Sequence, residues 1–388
     1  MKFLSLILKN VFRKKTRTIL TIGSIILPLL IICIMGSFLK ALDAPDPAET
    51  RGMFRIVTRH KVGFTNDLPI TYVERIRQLN GALAVTTFDW FGGMYVDNSA
   101  RNFFGRFAVD PATFLQVFDD ARVTGGSIED WMSDRAGIIA GEDLMKKYGW
   151  RLGDQIVLVG DIYPVTLQLT IRAVYEVSYG GSDAVFFNRK YLEEALPTYE
   201  GTVGTIWTKC IDGEAANRLS QEIDQMFENS AYPTITESEK AFQMGFVSML
   251  GNVKLLVTSL SIIIVLVIIL IAANTMALSA RERVREIAVM RTLGFTRRMI
   301  LMLILGESLM LALIGGGLGL GGFILGLKPL KDSLTNTPIS GFASAIMLFP
   351  EVLLVGLGVT VLVGLVSGLG PAIRASQRPI TEGLRHMG

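Results

Sequence analysis

The chain has 388 residues, of which 50% are hydrophobic and only 19% are charged, and its mean hydropathy is +0.44. A soluble protein of this length usually carries more charge, so the composition excludes an ordinary soluble enzyme and indicates an integral membrane protein. The formal net charge of +3 conceals a strongly uneven distribution of charge along the chain. The two cysteines, Cys33 and Cys210, lie in such different surroundings that we expect no disulfide framework and interpret both as structural thiols.

Four stretches are long and apolar enough to cross a bilayer. The second is a charge-free run of 19 residues, which as a helix spans roughly 28 Å, about one hydrocarbon core. The first could also be a cleaved signal peptide, but its apolar core of 21 residues exceeds the usual length of about 7–15 residues, which favours a retained span. These apolar cores are residues 19–39, 255–273, 299–327 and 352–370.

Lysine and arginine predict the orientation of the spans. Fifteen of them lie before the first span, between the second and third, and after the fourth, against only Glu282, Glu286 and Glu382. By the positive-inside rule these three segments face the cytoplasm. Residues 42–253 then lie outside, where 19 Lys and Arg face 29 Asp and Glu, a net charge of −10. We therefore expect a multi-pass membrane protein with both termini in the cytoplasm.

The outer region predicts an α+β domain, since segments of strand alternation are interleaved with amphipathic helical segments and turn signals. At about 210 residues it is long enough for two subdomains. The predicted strands are 54–59, 83–88, 135–140, 155–159, 166–177 and 184–187, and the predicted helices are 70–79, 142–148, 214–227 and 238–249.

The segment after the second span is both basic and amphipathic. Val284, Ile287, Ala288 and Phe295 keep helical spacing, which predicts a helix lying against the membrane. Such a helix, held between two spans, is well placed to receive force from a cytosolic partner. The arginines that surround the apolar positions are Arg281, Arg283, Arg285, Arg291, Arg297 and Arg298.

The predicted architecture is thus a membrane protein with four transmembrane α-helices, a large α+β extracytoplasmic domain between helices 1 and 2, and a cytoplasmic amphipathic coupling helix between helices 2 and 3. The predicted order is a basic N-terminus (1–17), span 1 (18–41), outer domain (42–253), span 2 (254–279), coupling helix (280–298), span 3 (299–327), outer loop (328–346), span 4 (347–370) and tail (371–388).

Glycines recur every four residues in the third and fourth spans, which predicts close helix packing, because small residues let helix backbones approach each other in lipid. The sequence Gly317-Leu-Gly-Leu-Gly-Gly is not interpreted as a nucleotide fingerprint, since it lies within a span and no strand precedes it. The packing pairs are Gly315 with Gly319, Gly317 with Gly321, and Gly364 with Gly368, with Gly356 in addition.

One acid, Glu307, falls inside the third span, roughly 13 Å along the helix from Arg298. Two alternatives remain open for it. It could form an ion pair with a basic residue of the coupling segment, or it could be a partly hydrated acid near the lipid headgroups.

The chain contains none of the residue patterns that common catalytic or metal sites require. There is no P-loop, no His-Glu-x-x-His and no Cys-x-x-Cys, and the two histidines, His60 and His386, lie on opposite sides of the predicted membrane. We therefore predict no catalytic, cofactor or metal residues in this chain. Adjacent outer acids such as Asp119 and Asp120, or Glu193 and Glu194, are interpreted as a solvated face.

The stretch from Asn274 to Ser308 closely resembles the signature of permeases of type VII ABC transporters. The matching residues are Asn274, Met276, Ser279, Arg281 to Arg283, Arg285 to Ile287, Met290, Arg291, Gly294, Arg297, Arg298, Glu307 and Ser308. The N-terminal residues 9–18, the Gly370-Pro371-Ala372 segment, Val109-Asp110-Pro111 and residues 140–156 are also similar. That family includes macrolide exporter, lipoprotein-releasing and cell-division permeases.

The resemblance implies a mechanotransmission permease, which couples cytosolic ATP hydrolysis to work on the far side of the membrane. The expected function is export or lipid or lipoprotein extraction; the alternative is a non-transporting regulator of a cell-wall hydrolase or signalling partner. Expected partners are two copies of a separate ABC ATPase that binds ATP and Mg, a second permease subunit, membrane lipid and an optional periplasmic adaptor, carrier or hydrolase, with no nucleic acid. The residues expected to couple to the ATPase are Arg281, Glu282, Arg283, Val284, Arg285, Glu286, Ile287, Ala288, Arg291 and Gly294.

Overall fold

The computed structural model describes residues 7, 11, 13–43, 53–99, 102–177, 182–249, 252–334 and 347–377. Most of the predicted N-terminus, outer loop and tail lies outside these residues. The chain divides into two compact units, and each is considered by itself. The helical unit falls within Met1–Asp43, Asn252–Leu330 and Ala345–Gly388, and the outer unit within Ala44–Gly251 and Lys331–Ser344.

The elements follow the chain in an order that places most of the α+β structure between the first and second long helices. The helices are α1 (Lys15–Asp43), α2 (Thr71–Arg77), α3 (Pro111–Val117), α4 (Ile128–Ser133), α5 (Glu142–Tyr148), α6 (Arg189–Ala195), α7 (Gly213–Phe227), α8 (Glu239–Met249), α9 (Val253–Glu282), α10 (Val284–Thr292), α11 (Arg297–Leu334) and α12 (Pro350–Gln377). The strands are β1 (Phe54–His60), β2 (Leu68–Pro69), β3 (Ala82–Trp90), β4 (Gly105–Val109), β5 (Ala121–Gly126), β6 (Gly137–Gly141), β7 (Gln155–Val159), β8 (Thr166–Val177), β9 (Ala184–Asn188), β10 (Thr202–Val203), β11 (Thr205–Cys210) and β12 (Thr234–Ser238).

In the helical unit, α1, α9, α11 and α12 are each long and apolar enough to cross a membrane, so the prediction of four spans is confirmed for the described residues. Close glycine contacts hold these helices together. A Cβ on Gly315 would lie 3.0 Å from Cβ of Ile25, and one on Gly319 would lie 3.2 Å from the carbonyl oxygen of Ile26. The backbones of α11 and α1 therefore approach closely, as small residues permit in lipid.

The predicted packing role of Gly317 and Gly321 is wrong within one subunit, because a Cβ at either position would meet nothing within 4 Å. An α-helix turns by about 100° per residue, so positions two residues apart lie on nearly opposite sides. Once Gly315 faces α1, Gly317 must face away. Gly316, which the spacing argument did not select, instead lies directly against Thr360 of α12.

The outer unit is built on a ten-stranded mixed sheet, whose main path runs β12-β1-β11-β3-β4-β9-β6-β8-β5, with β7 paired to β8. One end of this path, formed by β1, β3, β11 and β12 with α2 and α7, is a β-α-β-β-α-β arrangement with antiparallel neighbours. The remaining strands belong to an insertion between β3 and β11. The two parallel pairs of the sheet, β4 with β9 and β6 with β8, both lie within this insertion.

Four clusters of buried apolar residues lie along this sheet among the described residues. In the first cluster, α2 and α7 cover β1, β3 and β11 through Ile76, Leu219 and Phe227. In the second, strands of the insertion bury Ile138, Leu158 and Phe187. Cys210 is a buried free thiol, and burial raises its pKa to about 12, as expected of a structural and unreactive cysteine.

The interpretation of the outer acids as a solvated face is wrong for Asp120 and Glu193, whereas Asp119 and Glu194 are about half exposed. Asp120 accepts a hydrogen bond of 2.7 Å from Arg55, a buried side chain that also donates to Glu239 at 2.6 Å. Glu193 forms an ion pair of 2.9 Å with Arg189, which is likewise buried. Arg55 is distant from Asp120 in the sequence, so local sequence could not predict that pair, whereas Arg189 lies one turn before Glu193 in α6.

Candidate functional site at the junction of the second and third spans

The predicted continuous helix over residues 280–298 is instead two helix ends and a short helix. α9 continues to Glu282, Arg283 has non-helical angles of φ −107° and ψ 19°, and α10 covers only Val284–Thr292. The coupling segment is therefore jointed at Arg283, and Arg281 and Glu282 belong to the last turn of the second span.

Gly294 ends α10. Its φ of +96° is a left-handed conformation that favours glycine, its N–H donates to the carbonyl of Arg291, and the N–H of Phe295 donates to the carbonyl of Met290. These two hydrogen bonds form a Schellman motif with glycine at the position after the cap. Gly294 thus acts as a helix terminator, and Phe295 lies beyond the helix to which its spacing assigned it.

The apolar stripe of α10 faces inward. Ile287 and Ala288 are buried, and Ile287 belongs to an apolar cluster with residues of the long helices. Val284 is half-buried. The predicted stripe is therefore occupied by the chain's own spans and fixes the helix against them. The other buried members of the cluster are Val11, Met276, Ile300, Ile304, Leu311, Ala372 and Ala375.

The opposite face of α10 is open and carries residues that the sequence argument did not select. Val289 is 49% exposed and Leu293 is 75% exposed, and Arg285 is exposed one turn earlier. The spacing of four residues places all three on one side of the helix and its end. We call Arg285, Val289 and Leu293 the outer face of α10. The sequence signal for this outer face is the pair of bulky apolar residues Val289 and Leu293, whose positions do not fit the spacing of the buried stripe.

Glu307 lies at the centre of an ion-pair network beneath this helix. Its side chain is only 4% exposed, and its Oε2 accepts a hydrogen bond of 2.9 Å from Nη1 of Arg283. Its Oε1 lies 3.7 Å from Nη2 of Arg17, at the beginning of the first span. Of the two alternatives for Glu307, the structure has the ion pair.

The two acids beside the joint also bind the start of α1. Glu282 accepts from Nζ of Lys14 at 2.8 Å and from Nη1 of Arg17 at 3.3 Å, and Glu286 pairs with Arg13. Glu286 therefore has a partner within its own chain. The sequence could not predict these pairs, because about 270 residues separate the partners.

The described residues bring together most of the predicted coupling positions but give them different surroundings. Arg283 and Glu286 contribute to the ion-pair network, Ile287 and Ala288 to the buried contact, and Arg285 to the outer face. Arg291 is half-buried in the last turn of α10. Among the residues that the structure describes, no group of three or more His, Cys, Asp or Glu could hold a metal ion. The arrangement is suited to a mechanical contact.

Two family models match the chain, and together they span both units. The MacB-like periplasmic core domain matches residues 18–226, more than half of the chain, and the FtsX-like permease C-terminal domain matches residues 258–380. The chain is an ABC transporter permease of the MacB and FtsX type. The second match includes the joint at Arg283, α10 and Glu307, whereas their partners Arg13, Lys14 and Arg17 precede both matches.

Proteins similar to this chain are also described as ABC transporter proteins. An uncharacterized ABC transporter permease of Methanocaldococcus jannaschii is 25% identical over 97% of this permease and 96% of its own length. An uncharacterized ABC transporter permease protein of Mycobacterium tuberculosis is 30% identical over 64% of this chain but only 29% of its own length. The solved extracellular domain of the noncanonic ABC-type transporter YknZ from Gram-positive bacteria is 11% identical, with a TM-score of 0.36 over 47% of this chain and 98% of that one.

Proposed function

We propose that the permease couples ATP hydrolysis by a separate ABC ATPase to conformational work by its outer domain. The most suitable form of that work is export, or extraction of lipid or lipoprotein from the membrane. The working complex would hold two ATPase subunits, which bind ATP and Mg, and a second permease subunit. The basic end of the helical unit would face the cytoplasm of a cell whose inner membrane holds the complex.

The observation that carries this proposal is the two-sided character of α10. Ile287 and Ala288 fasten the helix to the spans, while Val289 and Leu293 leave apolar surface exposed next to the charged Arg285. A helix that presents apolar anchors and a cation suits the hydrophobic groove of a partner protein. Force applied to such a helix would pass directly to the spans that enclose its other face.

Site-specific photo-crosslinking tests this function in the cells that make the permease. A photoreactive amino acid at Leu293 should form a crosslink to a protein with a nucleotide-binding P-loop, identified by mass spectrometry. The same amino acid at Ile287, which lies about one and two-thirds turns earlier on the buried side of the helix, is the control and should give no such product.

Crosslinks from Leu293 to lipid alone would contradict the proposal. In that case α10 rests on headgroups with its arginines on phosphate, and the permease has no ATPase at this position.

A further inference from the structure

The joint between α9 and α10 is attached to the third span through its own side chain. Arg283 is the only residue between the two helices, and its guanidinium donates to Glu307 at 2.9 Å. Both side chains are largely buried, with 13% and 4% exposed. Because an unpaired charge at such a site is costly, α10 cannot turn about this joint and leave Glu307 behind without compensation.

Glu307 is itself on a firmly held part of α11. The next residue, Ser308, hydrogen bonds to Ser367 of α12 at 3.1 Å, and a Cβ on Gly368 would lie 2.7 Å from Cβ of Ser308. One to three turns further on, close backbone contacts join α11 to α12 and α1. The Glu307 carboxylate is therefore held in place by the packing of α11. If Arg283 moves away, another partner of Glu307 must move to keep the carboxylate paired.

The other partner is the beginning of the first span. Arg17 lies between two acids, 3.3 Å from Glu282 and 3.7 Å from Glu307. Lys14, one turn earlier, binds Glu282 at 2.8 Å. In contrast, Arg13 and Glu286 are 59% and 42% exposed, and an exposed pair of this kind contributes little. The pair of Arg17 and Glu307 is the more enclosed, with side chains 15% and 4% exposed, although at 3.7 Å it is an ion pair longer than a hydrogen bond. Together with the contacts of Lys14 and Arg17 to Glu282, it connects the joint to α1.

We propose that Arg283, Glu307 and Arg17 form an ionic relay that transmits displacement of α10 to the first span, which leads along the chain into the outer domain. The three are positioning residues and bind no substrate. The inference rests on the proposed function for the source of the displacement, whereas the relay itself belongs to the permease alone.

The first test uses the full-length permease in lipid nanodiscs without any ATPase. Spin labels at Thr16→Cys and Leu293→Cys report the distance from the start of α1 to the end of α10; Cys33 and Cys210 are buried and stay unlabelled. Glu307→Gln, which is nearly isosteric but uncharged, should broaden this distance distribution. Glu307→Asp, which keeps the charge, and the exposed-lysine control Lys15→Gln should retain it. An unchanged distribution in Glu307→Gln would overturn the relay.

The second test adds the ATPase captured in the crosslinking experiment. A spin label at Lys190→Cys, on the exposed surface of α6, reports the separation of the outer domains of two permease subunits with and without ATP. Loss of a hydrogen bond to a charged group should shift the equilibrium between responding and non-responding states by roughly tenfold in Glu307→Gln, with the ATPase retained. Arg17→Gln should behave alike and serves if the Glu307 variant does not fold, while Lys15→Gln should respond as wild type.

The two failures are distinguishable. A wild-type complex that shows no response to ATP contradicts the proposed function, and the distance distribution in the isolated permease still decides the relay. A Glu307→Gln or Arg17→Gln complex with the full wild-type response would show that α10 moves the outer domain by another route, which overturns the inference.

Discussion

Gly364 of α12 lies directly against Leu309 of α11, where a Cβ would come within 2.9 Å of the Leu309 Cα atom and of the Ala312 Cβ atom. Backbone atoms cannot move aside as the end of a flexible side chain can. The fourth span is therefore held to the third at a separation that only glycine permits at this position.

Gly364→Ala should lower the stability of the helical unit by about 1–3 kcal/mol, the usual cost of overpacking a well-packed interior. The matched control is Gly358→Ala on the same helix, where an added Cβ meets nothing within 4 Å. Thermal unfolding in detergent measures both variants, followed by the loss of helical circular dichroism and by size-exclusion chromatography; tryptophan fluorescence is unsuitable because all four tryptophans lie in the outer unit. Equal melting temperatures for the two variants would contradict the packing described for α11 and α12.

Gly294→Ala should loosen the end of α10. The left-handed backbone at φ +96° costs a residue with a Cβ about 1 kcal/mol, which corresponds to a roughly fivefold increase in local opening. Hydrogen exchange should accelerate at the backbone amides of residues 294 and 295, whose hydrogen bonds close the end of the helix. Exchange in the middle of α9 should stay unchanged. Unaltered exchange at these two amides would show that the Schellman motif does not hold the helix end in solution.

Asp89 should make the stability of the outer unit depend on pH. Burial raises its pKa from the ordinary value of 3.8 to about 6, against the opposing effects of the Arg189 guanidinium and the Gly204 N–H. The folded protein therefore binds the proton of the Asp89 carboxyl group more tightly than the unfolded chain does. The resulting stabilisation is complete below pH 3.8 and is lost as pH rises through about 6.

The measurement compares the full-length permease with Asp89→Asn, which cannot titrate. Because Arg189 loses its buried partner, the variant should be less stable at every pH. When the pH falls from 7.5 to 5, the free energy of unfolding of the wild type should rise by on the order of 1 kcal/mol relative to that of the variant. A difference between the two proteins that is constant over this range, or one that shrinks toward low pH, would contradict the raised pKa.

The distribution of charge predicts that α10 faces the cytoplasm and the outer unit does not. Single cysteines at Leu293 and Val62, both strongly exposed, can be labelled with a membrane-impermeant thiol reagent. In sealed right-side-out vesicles Val62→Cys should react at once and Leu293→Cys only after the membrane is permeabilised. The reverse pattern would exclude an ATPase partner at α10.

Local patterns in the sequence predicted those elements whose own residues determine them. Strand alternation, amphipathic spacing and turn signals predicted α5, β7 and β8 with the bounds that the structure has, and the long apolar runs predicted four spans. Strands such as β11 and β12 were missed because their burial comes from pairing with β1, more than 140 residues away in the chain.

The candidate site divides in the same way. The sequence marked the segment and most of its charged residues, but spacing alone could not decide which face of α10 is buried, nor that Gly317 points away from the packed interior. The partners of Glu282 and Glu286 precede the first span, and only the folded bundle brings them to the joint.

ATP hydrolysis by the purified permease, measured alone and in complex with the ATPase that Leu293 captures, tests the central claim most directly. The account predicts no hydrolysis by the permease alone, and hydrolysis by a complex that native mass spectrometry shows to contain two permease and two ATPase subunits. Sustained hydrolysis by the permease alone, or a captured ATPase that forms no stable complex with it, would contradict the claim that this chain converts the work of a separate motor.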